Sequence, residues 1–372
     1  MPRFTSLLRS PKLTSQLGVM LGTAIGICFV TGYLSHAIQQ PPWWFGWPSR
    51  PVNLYRVTQG LHVITGLALI PLLSLKLWSV HPKLWVWPPF RDSWHAVERL
   101  SLTVLVATGL FQVASGLLNI FLWYQPMGFF FTVAHYWTAW ALAGSVLIHI
   151  GVKLPIIRRW LIDKPRREPV TGGLSRRRLI TTVTTAGGLI VLAVAGETVR
   201  PLAAISVLAP RDPRVGPQGV PVNGSAEAAR VGPAASDPSY RLELTGPSGT
   251  RRFTLAELEA LPQHTSNLPI TCVEGWSADA VWTGVRLRDL IALAGGDETY
   301  QAQAFSLQES GYNHSIVAPP HARDPLTLLA LRLHGETLVL DHGYPCRLIA
   351  PNRPGVMQTK WVRRIVVERP PA

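Results

Sequence analysis

Cysteine is scarce: the chain has three in 372 residues, with no CxxC pair and no Cys/His finger spacing, which excludes a disulfide scaffold or a zinc finger. Charge is scarce as well. Asp, Glu, Lys and Arg make up 15% of the chain while hydrophobic residues reach 47%, against roughly 25% charged in an ordinary soluble protein. That excludes a disordered chain and a simple soluble enzyme. Acidic residues are almost missing from the front half: residues 1–200 hold 5 Asp/Glu beside 19 Lys/Arg, whereas 201–372 hold 16 of each. The formal +14 therefore lies entirely before residue 201. A nucleic-acid binder carries its excess on a folded basic face, so no nucleic-acid partner is expected; the asymmetry reads as membrane topology. Eleven of the 14 tryptophans also precede residue 161. A membrane half followed by a water-facing half is expected.

Five apolar stretches can cross about 30 Å of hydrocarbon as helices: Leu17–Ile38, Val57–Val80, Leu100–Trp123, Phe129–Lys153 and Leu179–Val199. With the N-terminus inside, the inner segments receive Arg3, Arg9 and Lys12, then Lys83, Arg91 and Arg99, then nine basic residues from Lys153 to Arg178. The outer loops receive only Arg50 and Arg56. Positive charge thus predicts a multi-pass protein of the cytoplasmic membrane whose residues beyond 200 lie on the extracytoplasmic side. Gly18, Gly22 and Gly26 share a face of the first span, where small residues predict close helix packing. Trp43, Trp44 and Trp47, and Trp85, Trp87 and Trp94, read as interfacial belts.

Histidines inside spans are costly and point to function. His135 and His149 are 14 residues apart on the fourth span, which places them on one face about 21 Å apart along the axis. His62 on the second span is level with His135, and His95 on the third with His149. Two pairs at two depths predict an outer and an inner b-type haem, each held by two imidazoles. His36 is an outer alternative and His81 an inner one; simple hydrogen bonding of these rings is the other reading. A four-span bundle with histidines so placed resembles quinone-linked b-type cytochromes.

Ser175-Arg176-Arg177-Arg178-Leu179-Ile180 precedes a mildly apolar helix, a pattern that resembles a twin-arginine signal for export of folded proteins. The same arginines also serve the positive-inside charge. The expected organisation is a four-helix membrane domain over 1–160, a basic linker and fifth, anchoring helix over 161–200, a Pro/Gly/Ala-rich tether over 201–238, and an α+β domain over 239–372 whose ligand contacts begin near 215. Short elements are expected at Tyr240–Thr245, Leu255–Ala260, Leu268–Thr271, Leu287–Ala294, Leu338–Leu340, Leu348–Ala350 and Trp361–Glu368.

Two runs in this last domain are specific. One is Ile270-Thr271-Cys272-Val273-Glu274-Gly275-Trp276-Ser277, followed by Trp282-Thr283-Gly284-Val285. The other runs from His342-Gly343-Tyr344-Pro345-Cys346-Arg347 through Pro351 and Gly355 to Lys360-Trp361. Both resemble, in order and spacing, the molybdopterin domain of the sulfite oxidase family, over about residues 215–372. The resemblance implies an α+β molybdopterin domain in which Cys272 is the thiolate ligand of molybdenum. A soft sulfur ligand suits that metal. It further implies that Arg347 and Lys360 bind the pterin phosphate region, that Gln358, Thr359 and His342 line the cofactor, and that Asn223 contacts it ahead of the core.

There are departures. Sulfite oxidases carry Gly-Asn-Arg-Arg soon after the cysteine, positive charge for a small anion; here the run is Val-Glu-Gly-Trp-Ser. That resembles the periplasmic reductases of protein methionine sulfoxides, whose catalytic subunit works with a haem membrane partner. No obligate dimer of the sulfite oxidase type is expected, and Cys346 is expected to be a free thiol. The implied function is a membrane-bound molybdenum oxidoreductase that exchanges electrons with the quinone pool through b haems and reduces an S- or N-oxide, small or protein-bound. The rivals are a sulfite-type oxidase running the other way and a non-catalytic electron carrier or docking protein.

Overall fold

The computed structural model describes residues 9–84, 92–161 and 176–371; Trp85, Trp87, Arg91 and Ser175, and the side chains of Trp94 and Arg176, lie outside that description. Chain contacts divide it into two units. The first runs to Leu34 and adds Leu61–Ala195 and Ile205–Pro210; the second comprises Ser35–Gly60, Gly196–Ala204 and the chain from Arg211 onward.

Five helices dominate the first unit: α1 (Pro11–Gln39), α2 (Leu54–Leu84), α3 (Ser93–Ile120), α4 (Phe131–Leu161) and α5 (Arg176–Ala195). Each is long and apolar enough to cross a membrane, and even the shortest apolar stretch, 19 residues, is about 29 Å long. Their ends differ from the expected spans because helix continues past the apolar core wherever a cap allows. α3 begins at Ser93, since the Asp92 side chain accepts the His95 N–H at 2.8 Å; α5 stops at Ala195 rather than Val199. Leu13, Leu17, Leu21 and Ala24 of α1 are buried with Leu69, Leu72 and Leu75 of α2. The expected glycine face is packed only at Gly18, where a Cβ would meet Lys76 Nζ at 3.2 Å; nothing lies within 4 Å of a Cβ built on Gly22 or Gly26. Large apolar side chains point outward instead, among them Leu147, Trp137 and Phe130, the pattern of helices solvated by lipid.

The second unit is α+β. Its strands are β1 (Leu242–Gly246), β2 (Gly249–Phe253), β3 (Gln263–Thr271), β4 (Ser277–Arg286), β5 (Gln301–Ser306), β6 (His314–Val317), β7 (Leu328–Leu333), β8 (Glu336–Thr337), β9 (Arg347–Ile349) and β10 (Val362–Glu368). Short helices α6 (Gly232–Ala235), α7 (Leu255–Ala260), α8 (Leu287–Leu293) and α9 (Pro319–Ala322) connect them. One sheet has the order β2-β1-β10-β5-β6, with β1 and β10 parallel; the other has β3-β4-β7-β8, with β9 on β7. Strand β7 is buried on both faces: Leu329 and Leu331 join the core shared with the first sheet, Leu328, Ala330 and Leu333 the core behind. That is why residues 328–331 read as an apolar run, broken only by the exposed Arg332. Leu338–Leu340 is not a strand; Leu340–His342 forms a 3-10 turn closed by Gly343 at φ 106°.

Two segments depart from the expected domain boundaries. Residues 211–238, expected as a tether, are folded into the second unit, with Val220, Ala226, Val231 and Ala235 buried. The loop from Ser35 to Gly60 joins it too. Trp43 is 97% exposed, but Trp47 Nε1 donates to the Asn352 carbonyl at 2.8 Å. Asn352 in turn accepts from the Tyr55 N–H and donates to the Pro48 carbonyl. Arg50 forms a two-pronged pair with Asp324 at 2.9 and 3.0 Å, and Arg56 pairs with Asp279 at 2.7 Å.

Candidate active site

Cys272 sits at the tip of the β3–β4 hairpin. Thr271 and Ser277 close the ladder, their hydroxyls 2.8 Å apart. The turn between them is tied by Cys272 N–H to the Trp276 carbonyl and Gly275 N–H to the Cys272 carbonyl. Gly275 adopts φ 111°, a conformation open chiefly to glycine. Cys272 is 2% exposed. Its sulfur receives the Asn223 Nδ2–H and, at 3.4 Å, the Glu274 N–H. Asn223 is held in place because its Oδ1 accepts from Trp276 Nε1 at 2.8 Å. Burial, then the Glu274 charge, pushes the Cys272 thiol far up, while the two donors pull the other way. Such a thiol is inert alone and becomes a thiolate when a cation takes its proton's place. Among the described residues no three His, Cys, Asp or Glu side chains converge, so a metal at Cys272 needs its other ligands from a bound cofactor.

The second run forms a cradle of cations. Arg347, on β9, is 2% exposed and lies over the Trp282 ring at 4.9 Å. It donates to the His342 and Gln358 carbonyls, while its Nε has no partner among the described residues. Lys360 Nζ donates to the Gly224 carbonyl at 2.5 Å and the Asp341 carbonyl at 2.9 Å. His342 Nε2 donates to the Pro217 carbonyl at 2.6 Å. Gly343 fits between them: a Cβ there would meet Arg347 and Lys360 at 3.0–3.2 Å. Burial lowers Arg347 to about 9, and burial together with Arg347 lowers Lys360 to about 7. Burial likewise lowers His342 to about 4, so it is neutral. Gln358 and Thr359 are committed to protein partners: the Gln358 amide bonds both backbone groups of Ala350, and Thr359 Oγ1 meets Ser315 Oγ at 2.6 Å.

Three residues were not singled out by sequence reasoning. Arg353 is 4% exposed, with one nitrogen on the Ile316 carbonyl at 2.6 Å and Nη1 without a partner among the described residues. Burial lowers it to about 10. It lies inside the second run, which was the available signal. Tyr312, 47% exposed, has its phenol raised by burial and by Cys272 and Glu274 nearby. Glu197 is 1% exposed and carries no motif. Cys346 is a free, buried thiol beside the Tyr240 hydroxyl at 3.3 Å.

In the first unit, His62 and His135 are brought together, their ring centroids 6.3 Å apart and nearly edge to face. His62 Nδ1 bonds the Cys28 carbonyl at 2.9 Å, and His135 Nδ1 meets Ser115 Oγ at 2.9 Å. The Nε2 atoms have no hydrogen bond among the described residues. His95 of α3 and His149 of α4 lie on the two helices that are joined by the 2.5 Å ion pair of Glu98 with Lys153. His95 Nδ1 is buried without a partner among the described residues.

Comparison with known proteins follows this geometry. Residues 230–372 match the family described as oxidoreductase molybdopterin binding domain. The chain is 35% identical over 130 residues to a putative protein-methionine-sulfoxide reductase subunit, YedZ1, of Azospira oryzae, covering 35% of this chain and 49% of that one. It is 32% identical over 161 residues to the mitochondrial sulfite oxidase of Drosophila melanogaster, covering 36% and 28%. It is 33% identical over 114 residues to the uncharacterized oxidoreductase YuiH of Bacillus subtilis, covering 30% and 57%. The chain thus spans between 28% and 57% of the length of these relatives. Residues 230–372 thus match the oxidoreductase molybdopterin-binding domain family, and the chain is similar over 161 residues to sulfite oxidase.

Proposed function

We propose that the chain is a membrane-bound molybdenum oxidoreductase that draws electrons from quinol through b haem and removes an oxygen atom from an S- or N-oxide outside the cytoplasmic membrane. One observation carries the cofactor assignment. Arg347 and Arg353 are buried cations and Lys360 beside them is half-buried, and none of the three forms an ion pair among the described residues. Buried charge without an opposite charge is costly, so the cradle fits an anion, and the pterin phosphate of molybdopterin supplies one. The hairpin supplies the thiol. Asn223, Arg347, Lys360 and His342 would hold the cofactor, and Cys272 would bind its metal. When bound, the cofactor supplies a metal that takes or gives one oxygen atom with two electrons.

What the protein's own groups do then follows. Asn223 and the Glu274 N–H stabilise negative charge on the Cys272 sulfur. Trp276 locks Asn223 and the Glu274 carboxylate in place. The acidic Glu274 stands where an anion-binding enzyme would carry positive charge, which favours a neutral oxide over sulfite. The name of the Azospira relative agrees with that direction. Purified full-length protein with molybdenum bound should reduce a sulfoxide or amine oxide at the expense of quinol. Oxidation of sulfite without reduction of any oxide would reverse the direction.

Arg347→Ala should weaken cofactor retention roughly 10- to 100-fold, the worth of one charge-assisted hydrogen bond. Pterin released from the purified protein measures it. Equal pterin content in variant and wild type would remove Arg347 from the cradle.

Orientation gives a separate expected result. A reporter fused after Ala372 should be active only on the extracytoplasmic side, and replacing Arg176 and Arg177 by lysine should reduce the exported fraction while leaving the helices inserted. A reporter active in the cytoplasm would overturn the orientation inferred from positive charge.

A further inference from the structure

Glu197 follows α5 by two residues and is 1% exposed, yet neither carboxylate oxygen has a hydrogen-bond partner among the described residues. Its backbone lies along the turn that carries Cys272: the Glu197 carbonyl accepts the Ser277 N–H at 3.0 Å, and Thr198 Oγ1 donates to the Gly275 carbonyl. Gln59 Nε2 holds the same turn through the Val273 carbonyl at 2.8 Å. The groups whose charge Glu197 feels are Glu274, of like sign, and Arg211, of opposite sign; Cys272 feels Glu197 in turn. Burial first and Glu274 second raise the Glu197 carboxyl to about 8, with Arg211 opposing. A carboxyl in that setting keeps its proton at neutral pH.

We infer that Glu197 is the proton carrier for oxygen-atom removal at the Cys272 turn. The inference rests on the reductase reading above. Taking the oxygen from an S-oxide consumes two electrons and two protons and yields the sulfide and one water. Quinol supplies the electrons as it becomes quinone and sheds its own two protons. Glu197 gives up its proton as an O–H bond forms on the departing oxygen. It is then reprotonated from water and acts twice in each turnover. No other buried acid at the turn has both oxygens without a partner among the described residues. The position is useful because the carboxyl is fixed by its own backbone to the turn, yet its oxygens are uncommitted.

The test uses the full-length, molybdenum-loaded protein as wild type, Glu197→Gln and Glu197→Asp, with molybdenum content measured for each. Infrared spectra near neutral pH should show a protonated carboxylic acid band that shifts in heavy water, disappears in Glu197→Gln and returns, displaced, in Glu197→Asp. With equal metal content, Glu197→Gln should lower kcat for a sulfoxide about tenfold or more with KM unchanged. It should also erase the fall in wild-type kcat as pH rises through about 8, and Glu197→Asp should restore part of the rate. An active wild type whose Glu197→Gln variant keeps the same kcat and pH profile, or the same infrared band, overturns the inference. A metal-loaded wild type that reduces no oxide overturns the reductase reading itself, and the two failures are told apart by the wild-type rate.

Discussion

Cys272→Ser is expected to yield a folded protein with no molybdenum-dependent turnover, a loss on the order of 100-fold or more. Changes one shell further out at metal sites commonly cost 10- to 100-fold, and here the ligand itself changes. A serine hydroxyl can still accept from Asn223 Nδ2 and the Glu274 N–H, so the hairpin keeps its bonds. The side chain lies in a cluster with Leu268, Ile270, Trp276 and Ala278, where a small polar swap costs roughly 1 kcal/mol. What is lost is the soft, ionisable donor: a serine hydroxyl does not surrender its proton to a metal as a thiol does. The pterin should remain, because Arg347 and Lys360 are untouched. Cys346→Ser is the control, since that thiol sits in the core beside Tyr240 and should leave turnover intact. Full activity in Cys272→Ser would sink the molybdenum assignment.

The residues that made this site legible are those for which chemistry and turn geometry coincide. Cys272, Gly275 and Trp276 are adjacent in the chain, and the same five residues form both the motif and the turn. Arg347 and Lys360 were legible for a related reason: strand β9 carries the first, and the loop that leads into β10 carries the second into the same cradle. Long-range closure was not legible. Nothing local in Arg50, Arg56 or Trp47 announces partners at Asp324, Asp279 and Asn352, so the loop between the first two apolar helices read as an interfacial belt. Residues 211–238 lack periodicity because they are ordered by side-chain bonds rather than by regular structure; Pro217 is held by His342 and Ala226 by Asp341. Glu197 was hidden by hydropathy, because one acid at the end of an apolar run reads as the edge of a membrane anchor. Strand β7, apolar on both faces over residues 328–331, lacked the alternation that identifies a half-buried strand, while β5 alternates as Gln-Ala-Gln-Ala but has no β-branched residue to mark it.

His135→Ala should abolish quinol-driven reduction while sparing turnover with a soluble artificial donor. The first unit, described by itself, supports this. His62 and His135 project from α2 and α4 with their centroids 6.3 Å apart, and each ring's Nδ1 is engaged, one by the Cys28 carbonyl and the other by Ser115 Oγ. Engagement of Nδ1 fixes ring orientation and directs Nε2 outward as a ligand, the arrangement seen wherever imidazole holds a metal. Glycine flanks both rings: a Cβ on Gly32 would stand 3.0 Å from His62 Cε1, and one on Gly116 3.7 Å from His135 Cε1. Two imidazoles in hydrocarbon with their outer nitrogens unbonded need a partner, and haem iron takes two. If His135 holds haem as proposed, its removal would take away a ligand, and the corresponding b-type absorbance should vanish from the reduced-minus-oxidised spectrum. His149→Ala should affect a separate signal if an inner haem is held with His95. On the proposed route, electrons delivered directly to the second unit would bypass any haem, which is why the artificial donor should still work in His135→Ala. Wild-type protein grown with ample haem yet showing no b-type spectrum would reduce these histidines to structural groups, and the five helices to an anchor.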